Sequence, residues 1–358
     1  MIKLFEPHVG IEEIKSVKNV LQSKFWASGT GAGNVLKFEN KFKKYINSKN
    51  CIAVNSGTAA LNLALSVCDI KNKEVILPSL TFVATANAVI MNGGKPIFVD
   101  VDPNTLNIDA EKIENFISKK TKVILPVHFG GLPCDLNKIS SLAKKYNLKI
   151  IEDAAHAAGA SYKNKKIGSH SMAVCFSFHP IKNLAMPTGG LISINDKNHG
   201  KIWKLLSAGR WCGITDRKET SYDIKKIGNN YYMNELSAAI GLVQLKKLNK
   251  LNSIRKKIVK RYCEEIKLDT KMQYDKNCSY HLYWILVKNR NEFRKKLSRD
   301  KIETGTHYKP VHTFSFYKSK AKLKITESIS KDIVTIPCHP NLKESDIDKI
   351  IRLINKFS

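Results

Sequence analysis

Long apolar runs are missing from this sequence of 358 residues. No stretch approaches the roughly 18 uninterrupted apolar residues that a helix needs to span a bilayer. The N-terminal segment MIKLFEPHVGIEEIKS reaches acidic residues before any apolar run of secretory length. We therefore expect a soluble, cytoplasmic protein without a membrane partner. With 43% hydrophobic residues, the chain can still bury a sizeable core.

Spacings typical of metal sites are absent as well. The eight cysteines include no CxxC pair, and the ten histidines include no HxxxH or HExxH pair. Most cysteines lie within apolar stretches, which predicts buried free thiols. The sequence therefore predicts no metal site.

Arginine is scarce although the chain is strongly basic. A formal net charge of +29 alone favours nucleic acid, a membrane surface or an anionic substrate as the partner. However, only eight of the 60 basic residues are arginine, which is the residue best suited to bidentate contacts with phosphate and guanine. The lysines are spread along the whole chain without a recognised binding motif. We therefore expect no nucleic-acid partner.

Short β-rich runs alternate with helical patterns between residues 50 and 195. The runs are CIAVNS, VILPS, PIFVDVD, KVILPVHFG, LKIIED, AVCFSFH and GGLISI, and the helical patterns include TAALNLALSVC, FVATANAVIM and LNKISSLAKKYN. This alternation predicts an α/β fold with a mostly parallel sheet covered by helices. Ligands of such sheets bind outside the carboxyl ends of the strands.

The chain after Tyr232 has a different pattern. Apolar residues from Leu236 to Ile258 recur in steps of three to five, which predicts a long amphipathic helix that links two domains. A smaller α/β pattern follows, with the run HLYWILV and a closing helix that starts at Glu344. We assign residues 1–245 to a large domain and residues 246–358 to a small C-terminal domain.

Several segments at predicted strand ends suit one ligand, an aromatic ring with a phosphate, a ring nitrogen and an aldehyde. Ser56-Gly57-Thr58 opens a helix, whose free N–H groups and dipole can hold a phosphate. Asp153 ends the run LKIIED, where a carboxylate can keep a pyridine nitrogen protonated. Each segment is also explained by ordinary helix capping, because serine, threonine and aspartate are favoured at N-caps.

Four other side chains extend this pattern. A lysine beside an aldehyde can form a Schiff base and carry a proton, and Lys182 follows the run AVCF in a segment with few neighbouring charges. Ser177 can donate to the phosphate, His156 can bond to a phenolic oxygen, and Phe82 can stack on the ring for about 1 kcal/mol. The alternatives are a solvated lysine, a structural histidine and a core phenylalanine.

Together these segments resemble the sugar aminotransferases of the DegT/DnrJ/EryC1/StrS family, which have the aspartate aminotransferase (type I) fold. The resemblance runs through FEPHVGIEEIKSV, FWASGTGAGNVLKFENKF, NSGTAALNLAL, SLTFVATANAV, PIFVDVDPNTLNID, IIEDAAHAAG, SFHPIKN, GNNYYMNELSAAIGLVQL, THYKPVH and IPCHPNL. It covers nearly the full chain. It implies a pyridoxal 5'-phosphate enzyme with a mostly parallel seven-stranded sheet in its large domain.

The resemblance also implies a role for each site residue. Lys182 and Asp153 would be catalytic, with Lys182 joined to the cofactor aldehyde and Asp153 paired with the pyridinium nitrogen. His156 stands where the family usually has a glutamine near the phenolic oxygen. The other cofactor contacts would be Gly57, Thr58 and Ser177 at the phosphate, Phe82 over the ring, and Asn230 at the phosphate of a second subunit. A homodimer with shared active sites is therefore implied.

The implied reaction moves an amino group, from glutamate as the donor, to the ketone of a nucleotide-linked deoxy-sugar. Its product would serve amino-sugar biosynthesis for surface polysaccharide such as the lipopolysaccharide O-antigen. The implied substrate contacts are His307, Tyr308 and His312, with Trp26 and Arg210 as further candidates. The alternative is that these residues are ordinary surface-loop residues.

Two departures from the family pattern leave the substrate open. Pro187-Thr188-Gly189-Gly190 stands where the family usually has a Gly-Glu-Gly-Gly turn, and Tyr232 stands in place of a common basic residue. Both positions are expected near the substrate entrance, so a keto-cyclitol acceptor is an alternative.

Two other functions remain as alternatives. A sugar dehydratase could use the same scaffold, but the relevant dehydratases of the family replace the Schiff-base lysine with histidine. A non-catalytic regulatory protein could keep the fold, but it would need neither Lys182 nor Asp153.

Overall fold

A computed structural model describes residues 1–317 and 319–358. The strands are β1 (Asn50–Val54), β2 (Glu74–Pro78), β3 (Lys95–Val99), β4 (Thr121–Ile124), β5 (Lys149–Asp153), β6 (Ser161–Tyr162), β7 (Lys165–Lys166), β8 (Ala173–Ser177), β9 (Gly190–Ile194), β10 (Ile214–Lys218), β11 (Ser221–Ile224), β12 (Tyr283–Leu286) and β13 (Ile333–Ile336). The helices are α1 (Ile11–Ser23), α2 (Gly33–Ile46), α3 (Gly57–Leu65), α4 (Val83–Met91), α5 (Leu136–Lys145), α6 (His199–Gly209), α7 (Glu235–Glu265), α8 (Arg290–Arg299), α9 (Lys324–Asp332) and α10 (Glu344–Phe357). Short 3-10 helices occupy Ile113–Phe116, Phe129–Gly131, Val311–Thr313 and Ser315–Tyr317.

The central sheet has seven strands in the order β1-β9-β8-β5-β4-β2-β3. The strands from β8 to β3 run parallel, whereas β9 is antiparallel to both of its neighbours. Helices cover both faces, and this double burial explains why the strands are continuous apolar runs. The predicted α/β fold with a mostly parallel seven-stranded sheet is confirmed. Each of the seven predicted β-rich runs overlaps one of its strands.

Two apolar cores lie on opposite faces of this sheet. One contains side chains from α2, α5 and the first half of α7. The other contains side chains from α3, α4 and α6. This layering leaves the carboxyl ends of the parallel strands free to form a ligand site.

Helix α7 connects the sheet to a smaller α/β region. Its N-cap residue Asn234 accepts a hydrogen bond from the backbone N–H of Ser237 at 2.8 Å, and the helix continues for 31 residues. Leu248 packs in the core beneath the sheet, while Ile258 packs in a third core with β12, β13, α8, α9 and α10. The helix therefore passes from one core to the other, and the predicted domain boundary at residues 245 and 246 falls inside it.

The N-terminal residues lie against this smaller region. The backbone N–H of Ile2 donates to the carbonyl of Lys301 at 2.8 Å, and that of Glu303 donates to the carbonyl of Ile2 at 2.9 Å. Phe5 packs on the third core. The start of the chain is therefore close to the loops that follow α8.

Three further expectations concern membrane-spanning helices, metal sites and the cysteine thiols. Across residues 1–317 and 319–358, no helix has the length and apolarity needed to cross a membrane. The same residues contain no group of three or more histidine, cysteine or acidic side chains that could hold a metal ion. All eight cysteines are free, and six of them are buried.

Candidate active site

The carboxyl ends of β1, β2, β5 and β8 surround a cavity of about 320 Å³. The predicted site residues that line it are Gly57, Thr58, Phe82, Asp153, His156, Ser177, Lys182, His307 and Tyr308. These residues come from segments far apart in the sequence, and the parallel sheet brings them to one edge. Both the volume and the mixture of apolar and polar groups are typical of a small-molecule site.

Lys182 lies in the loop between β8 and β9. The loop is fixed by backbone hydrogen bonds, including one from the N–H of Lys182 to the carbonyl of His179 at 2.8 Å. Desolvation of the amine lowers the pKa of Lys182 to about 8, although attraction by Asp153 opposes this shift. Roughly a tenth of the amine is therefore uncharged at pH 7, far more than for an ordinary lysine, and a nucleophile or a proton acceptor must be uncharged.

Asp153 is buried at the end of β5 and is held through both carboxylate oxygens. Oδ2 accepts a hydrogen bond from the hydroxyl of Thr85 at 2.8 Å, and Oδ1 accepts one from the backbone N–H of Ala155 at 3.0 Å. Because burial outweighs these hydrogen bonds, the pKa of Asp153 is raised above its usual value. A cation beside this carboxylate would favour its charged form, which suits a protonated ring nitrogen.

His156 and Tyr308 form a hydrogen-bonded pair at the cavity wall. The N–H of Gly130 donates to His156 Nδ1 at 3.3 Å, so a neutral ring carries its proton on Nε2 and donates it to the Tyr308 hydroxyl at 3.1 Å. Burial holds the pKa of His156 well below its usual value, and the charge of Lys182 adds to this effect. The hydroxyl proton of Tyr308 is therefore free to reach another acceptor. At the cavity mouth, the exposed Phe82 ring lies 6.2 Å from that of Tyr308.

The start of α3 forms a cradle suited to an anion. The side chain of the N-cap residue Ser56 accepts from the N–H of Ala59 at 3.1 Å, and the first-turn N–H groups of Gly57 and Thr58 lack acceptors within the helix. A Cβ atom on Gly57 would lie 2.7 Å from Cβ of Ser177. Only glycine therefore allows the helix to approach Ser177 so closely. Helix capping and anion binding are compatible here because they use different N–H groups.

Arg210 and His312 do not lie in the cavity, which corrects their predicted substrate contacts. Arg210 is fully buried, and its guanidinium donates to Glu39 at 2.6 Å and to the carbonyls of Thr30 and Ala53. His312 is also buried, with Nδ1 2.6 Å from the Ser79 hydroxyl and Nε2 3.3 Å from a carboxylate oxygen of Glu327. Their polar atoms are thus engaged within the protein, and both side chains stabilise the fold.

Trp26 and Asn230 lie on the surface, outside this cavity. Trp26 is 53% exposed, and its backbone carbonyl accepts from the N–H of Glu235. The backbone carbonyl of Asn230 accepts a hydrogen bond from the side-chain amide of Asn55 at 3.1 Å, near the end of β1. Neither side chain meets the cavity of its own chain, so their predicted contacts stay predictions.

Two residues at the site were not predicted from the sequence. Thr85, which holds Asp153, lies three positions after Phe82 on α4, so helical spacing was a usable signal for it. His281 Nε2 lies 3.2 Å from Lys182 Nζ. This histidine precedes β12 in the smaller region, and its sequence context gives no sign of the contact.

The donors and charges of the cavity fit pyridoxal phosphate. The α3 cradle suits its phosphate, Asp153 suits its ring nitrogen, and the lowered pKa of Lys182 suits reaction with its aldehyde. The close approach of Gly57 to Ser177 supports this fit independently, because it places the Ser177 hydroxyl beside the N–H groups at the start of α3.

Comparisons with known proteins agree with this geometry. The chain is 34% identical to the spore coat polysaccharide biosynthesis protein SpsC of Bacillus subtilis, over 97% of this chain and 95% of SpsC. It superposes on Helicobacter pylori PseC, an aminotransferase involved in the biosynthesis of pseudoaminic acid, with a TM-score of 0.93 and 29% identity, covering 99% of this chain and 98% of PseC.

A third relative is the putative sugar aminotransferase Spr1654 of Streptococcus pneumoniae. The structure of its PMP-form superposes on this chain with a TM-score of 0.93 and 27% identity, covering 99% of this chain and 96% of Spr1654. A structure of its PLP-form also matches this chain. The family model described as the DegT/DnrJ/EryC1/StrS aminotransferase family matches residues 7–355. The chain therefore belongs to the DegT/DnrJ/EryC1/StrS family and is a pyridoxal-phosphate-dependent sugar aminotransferase.

Proposed function

We propose that this enzyme transfers an amino group from glutamate to the ketone of a nucleotide-linked deoxy-sugar, for amino sugars of surface polysaccharide. The observation that carries the proposal is the convergence of Lys182 and Asp153 on one cavity. The names of SpsC and PseC, which refer to polysaccharide and to pseudoaminic acid, support a sugar acceptor. The charge of +29 favours an anionic acceptor such as a sugar diphosphate nucleotide by electrostatic steering.

Pyridoxal phosphate, when bound, supplies an aldehyde for amine exchange and a ring that withdraws electrons from the reacting carbon. Lys182 would hold the cofactor and carry the proton that moves during exchange, because its amine is uncharged above about pH 8. Asp153 would keep the ring nitrogen protonated, and Thr85 would orient Asp153. Ser177, with the N–H groups at the start of α3, would hold the phosphate.

The sugar would enter at the mouth of the cavity, where Phe82, His307 and Tyr308 lie. His307 Nδ1 is 2.7 Å from the Thr335 hydroxyl, which fixes the imidazole ring. Burial lowers the pKa of His307 to about 4, so the imidazole is neutral and can accept a hydrogen bond from a sugar hydroxyl. We assign the sugar contacts to His307 and Tyr308.

The first test compares absorbance spectra of the wild type and Lys182→Ala with pyridoxal phosphate, before and after glutamate. We expect a lysine-dependent band in the wild type that glutamate shifts to that of the pyridoxamine form. Lys166→Ala is the matched control, because burial also lowers the pKa of Lys166 but its amine bonds to the carbonyl of Gly159, away from the cavity. A band that survives in Lys182→Ala and shifts with glutamate would refute the role of Lys182.

The second test identifies the acceptor. The glutamate-treated enzyme is mixed with keto-sugar nucleotides, with keto-cyclitols and with the free keto-sugars, and the products are analysed by mass spectrometry. Amination of a nucleotide-linked sugar alone supports the proposal. Amination of a cyclitol would instead support the cyclitol alternative, and loss of water without amine gain would support a dehydratase.

We also propose a homodimer in which Asn230 contacts the phosphate bound by the partner subunit. The exposed position of Asn230, outside the cavity of its own chain, supports this arrangement. The test mixes two inactive variants, Lys182→Ala and Asn230→Ala, after mild dissociation. A mixed dimer would contain one site with both residues intact, so activity should return. Recovery no greater than with either variant alone would contradict shared sites.

A further inference from the structure

His281 lies between two cavities and touches the lysine of one of them. Nε2 of His281 is 3.2 Å from Nζ of Lys182. Its ring stacks on Phe5 at 5.3 Å between centroids and 17° between planes, and the His156 ring lies 4.4 Å away on another side. The imidazole is therefore held in one orientation, with Nε2 committed to the lysine amine.

A second, smaller cavity lies on the other side of His281. Its volume is about 10 Å³, close to the minimum space that one water molecule needs. His281 lines this cavity together with Glu6, Arg255 and His339, and Ile181 lines both cavities. His281 and Ile181 thus form a wall between the site of the proposed chemistry and a compartment large enough for one water.

The polar groups of the small cavity require a partner. Arg255 is 7% exposed, donates to Asn252 at 3.3 Å and makes no ion pair with any described residue. His339 Nδ1 is buried without a hydrogen-bond partner in the described part of the chain. A buried cation and an unsatisfied nitrogen are costly unless solvated, and one water can satisfy both. We therefore expect an ordered water in this cavity.

We propose that His281 positions Lys182 and relays its proton, through this water and Glu6, to solvent. The inference rests on the proposed function, because it requires Lys182 to be the amine that loses a proton before it reacts. A protonated lysine must donate to Nε2, which leaves the histidine proton on Nδ1, whereas an uncharged lysine allows the histidine proton to sit on Nε2.

The proton transfer from Lys182 to Glu6 conserves atoms and charge at every step. An N–H bond of Lys182 breaks as one forms at Nε2 of His281, and the Nδ1–H bond breaks as the water receives that proton. The water then passes a proton to the carboxylate of Glu6, whose side chain is 37% exposed and exchanges with solvent. The lysine becomes neutral, His281 changes tautomer without gaining charge, and the water is restored.

The charges around Lys182 and His281 favour a relay in which the imidazole ring of His281 stays uncharged. Burial, with the charge of Lys182 as the next cause, holds the pKa of His281 well below its usual value, so the ring stays uncharged. The titratable or charged groups that face Lys182 and His281 are one carboxylate at the end of β5, four histidines, and the arginine and glutamate of the small cavity: Asp153, His156, His179, His307, His339, Arg255 and Glu6. Of these, the neutral histidines add little charge, and Arg255 opposes protonation of His281.

The first experiment observes the tautomer of His281 in cofactor-free protein with isotope-labelled histidine, by NMR from about pH 6 to about pH 10. His281→Phe identifies its signals. We expect a change from the Nδ1–H to the Nε2–H tautomer near the pKa of Lys182, about 8. Lys182→Met should abolish this change. A single tautomer throughout, or an unchanged transition in Lys182→Met, would overturn the relay.

The second experiment measures the pKa of Lys182 by competitive acylation and peptide mass spectrometry, with Lys166 as an internal reference. His281→Phe removes the acceptor and should lower the pKa of Lys182 by about one unit. His281→Gln keeps an acceptor oxygen and should retain a pKa close to that of the wild type. Equal values in all three proteins would overturn the positioning role, and a dry cavity in a high-resolution crystal structure would overturn the relay. Because no cofactor or substrate is present, failure here differs from failure of the aminotransferase assay.

Discussion

Replacing Thr85 with valine should impair the enzyme through Asp153, the carboxylate that the Thr85 hydroxyl holds. Thr85 is completely buried, and its hydroxyl donates to Oδ2 of Asp153 at 2.8 Å. Each hydroxyl has one proton, so Thr81 must donate to Thr85, from which it lies 2.9 Å away. Valine has nearly the same shape as threonine, so the substitution removes the hydrogen bond without creating a cavity.

The magnitude follows from the charge on the acceptor. A hydrogen bond to a charged group contributes about 1.5–3 kcal/mol, which corresponds to roughly one to two pKa units. The pKa of Asp153 is already raised by burial, and loss of the Thr85 bond should raise it further. A carboxyl group with a higher pKa competes for the proton of the ring nitrogen. We expect the glutamate half-reaction to slow by about tenfold to a hundredfold.

The assay is stopped-flow absorbance of the enzyme-bound cofactor after mixing with glutamate, measured across pH. In Thr85→Val the acidic limb of the rate profile should move to higher pH by about one to two units, because a raised carboxyl pKa means protonation at higher pH. Thr81→Val is the matched control, since it leaves the bond between Thr85 and Asp153 intact. Equal rates and equal acidic limbs in the two variants would refute the reasoning.

The remaining predictions concern the phosphate cradle, the buried arginine and the lysine. Gly57→Ala should weaken cofactor affinity by at least about tenfold in an absorbance titration, because its Cβ would meet Ser177, whereas Gly200→Ala, with no atom within 4 Å of the added Cβ, should bind normally. Arg210→Met should lower the free energy of unfolding by about 3–5 kcal/mol in urea, because it leaves a buried carboxylate unpaired. Asp153→Asn should lower the pKa of Lys182 below about 8 in competitive acylation of cofactor-free protein, because it removes the attraction that favours the ammonium.

Each of these predictions has an outcome that contradicts it. Equal cofactor affinity in the two glycine variants would mean that the close contact at α3 is unimportant. A change below about 1 kcal/mol in Arg210→Met would show that the internal ion pair is dispensable. An unchanged or raised lysine pKa in Asp153→Asn would show that the carboxylate does not act on the amine.

The sheet could be predicted from the sequence because its strands are buried on both faces. Each strand is then an apolar run bounded by turn residues, and the helices between them keep their own spacing. The candidate cofactor residues could be placed at one edge of the sheet for the same reason, since Asp153 and Ser177 end strands, and Gly57 and Phe82 closely follow them. The position of a residue at or just after a predicted strand end was therefore the main evidence that it belongs to the site.

Arg210 and His312 were predicted less well because residue type alone does not reveal the direction of a side chain. Both are polar residues in segments that the family resemblance places near the substrate. In the folded chain, however, each is buried and bonded to an acidic side chain, Glu39 or Glu327. A buried ion pair between segments 171 residues apart leaves no periodic signal in the sequence.

The same limit explains why Thr85 and His281 were not predicted from the sequence, although helical spacing offered a weak signal for Thr85. Each acts on a residue that is expected to touch the cofactor, so their roles depend on packing between elements rather than on strand ends. His281 reaches Lys182 across 99 residues, from the smaller region into the loop after β8. The contact therefore couples the relative position of the two regions to the protonation of the lysine. Any movement of the smaller region that lengthens this contact should also change the reactivity of Lys182, which makes His281 the most informative position to vary next.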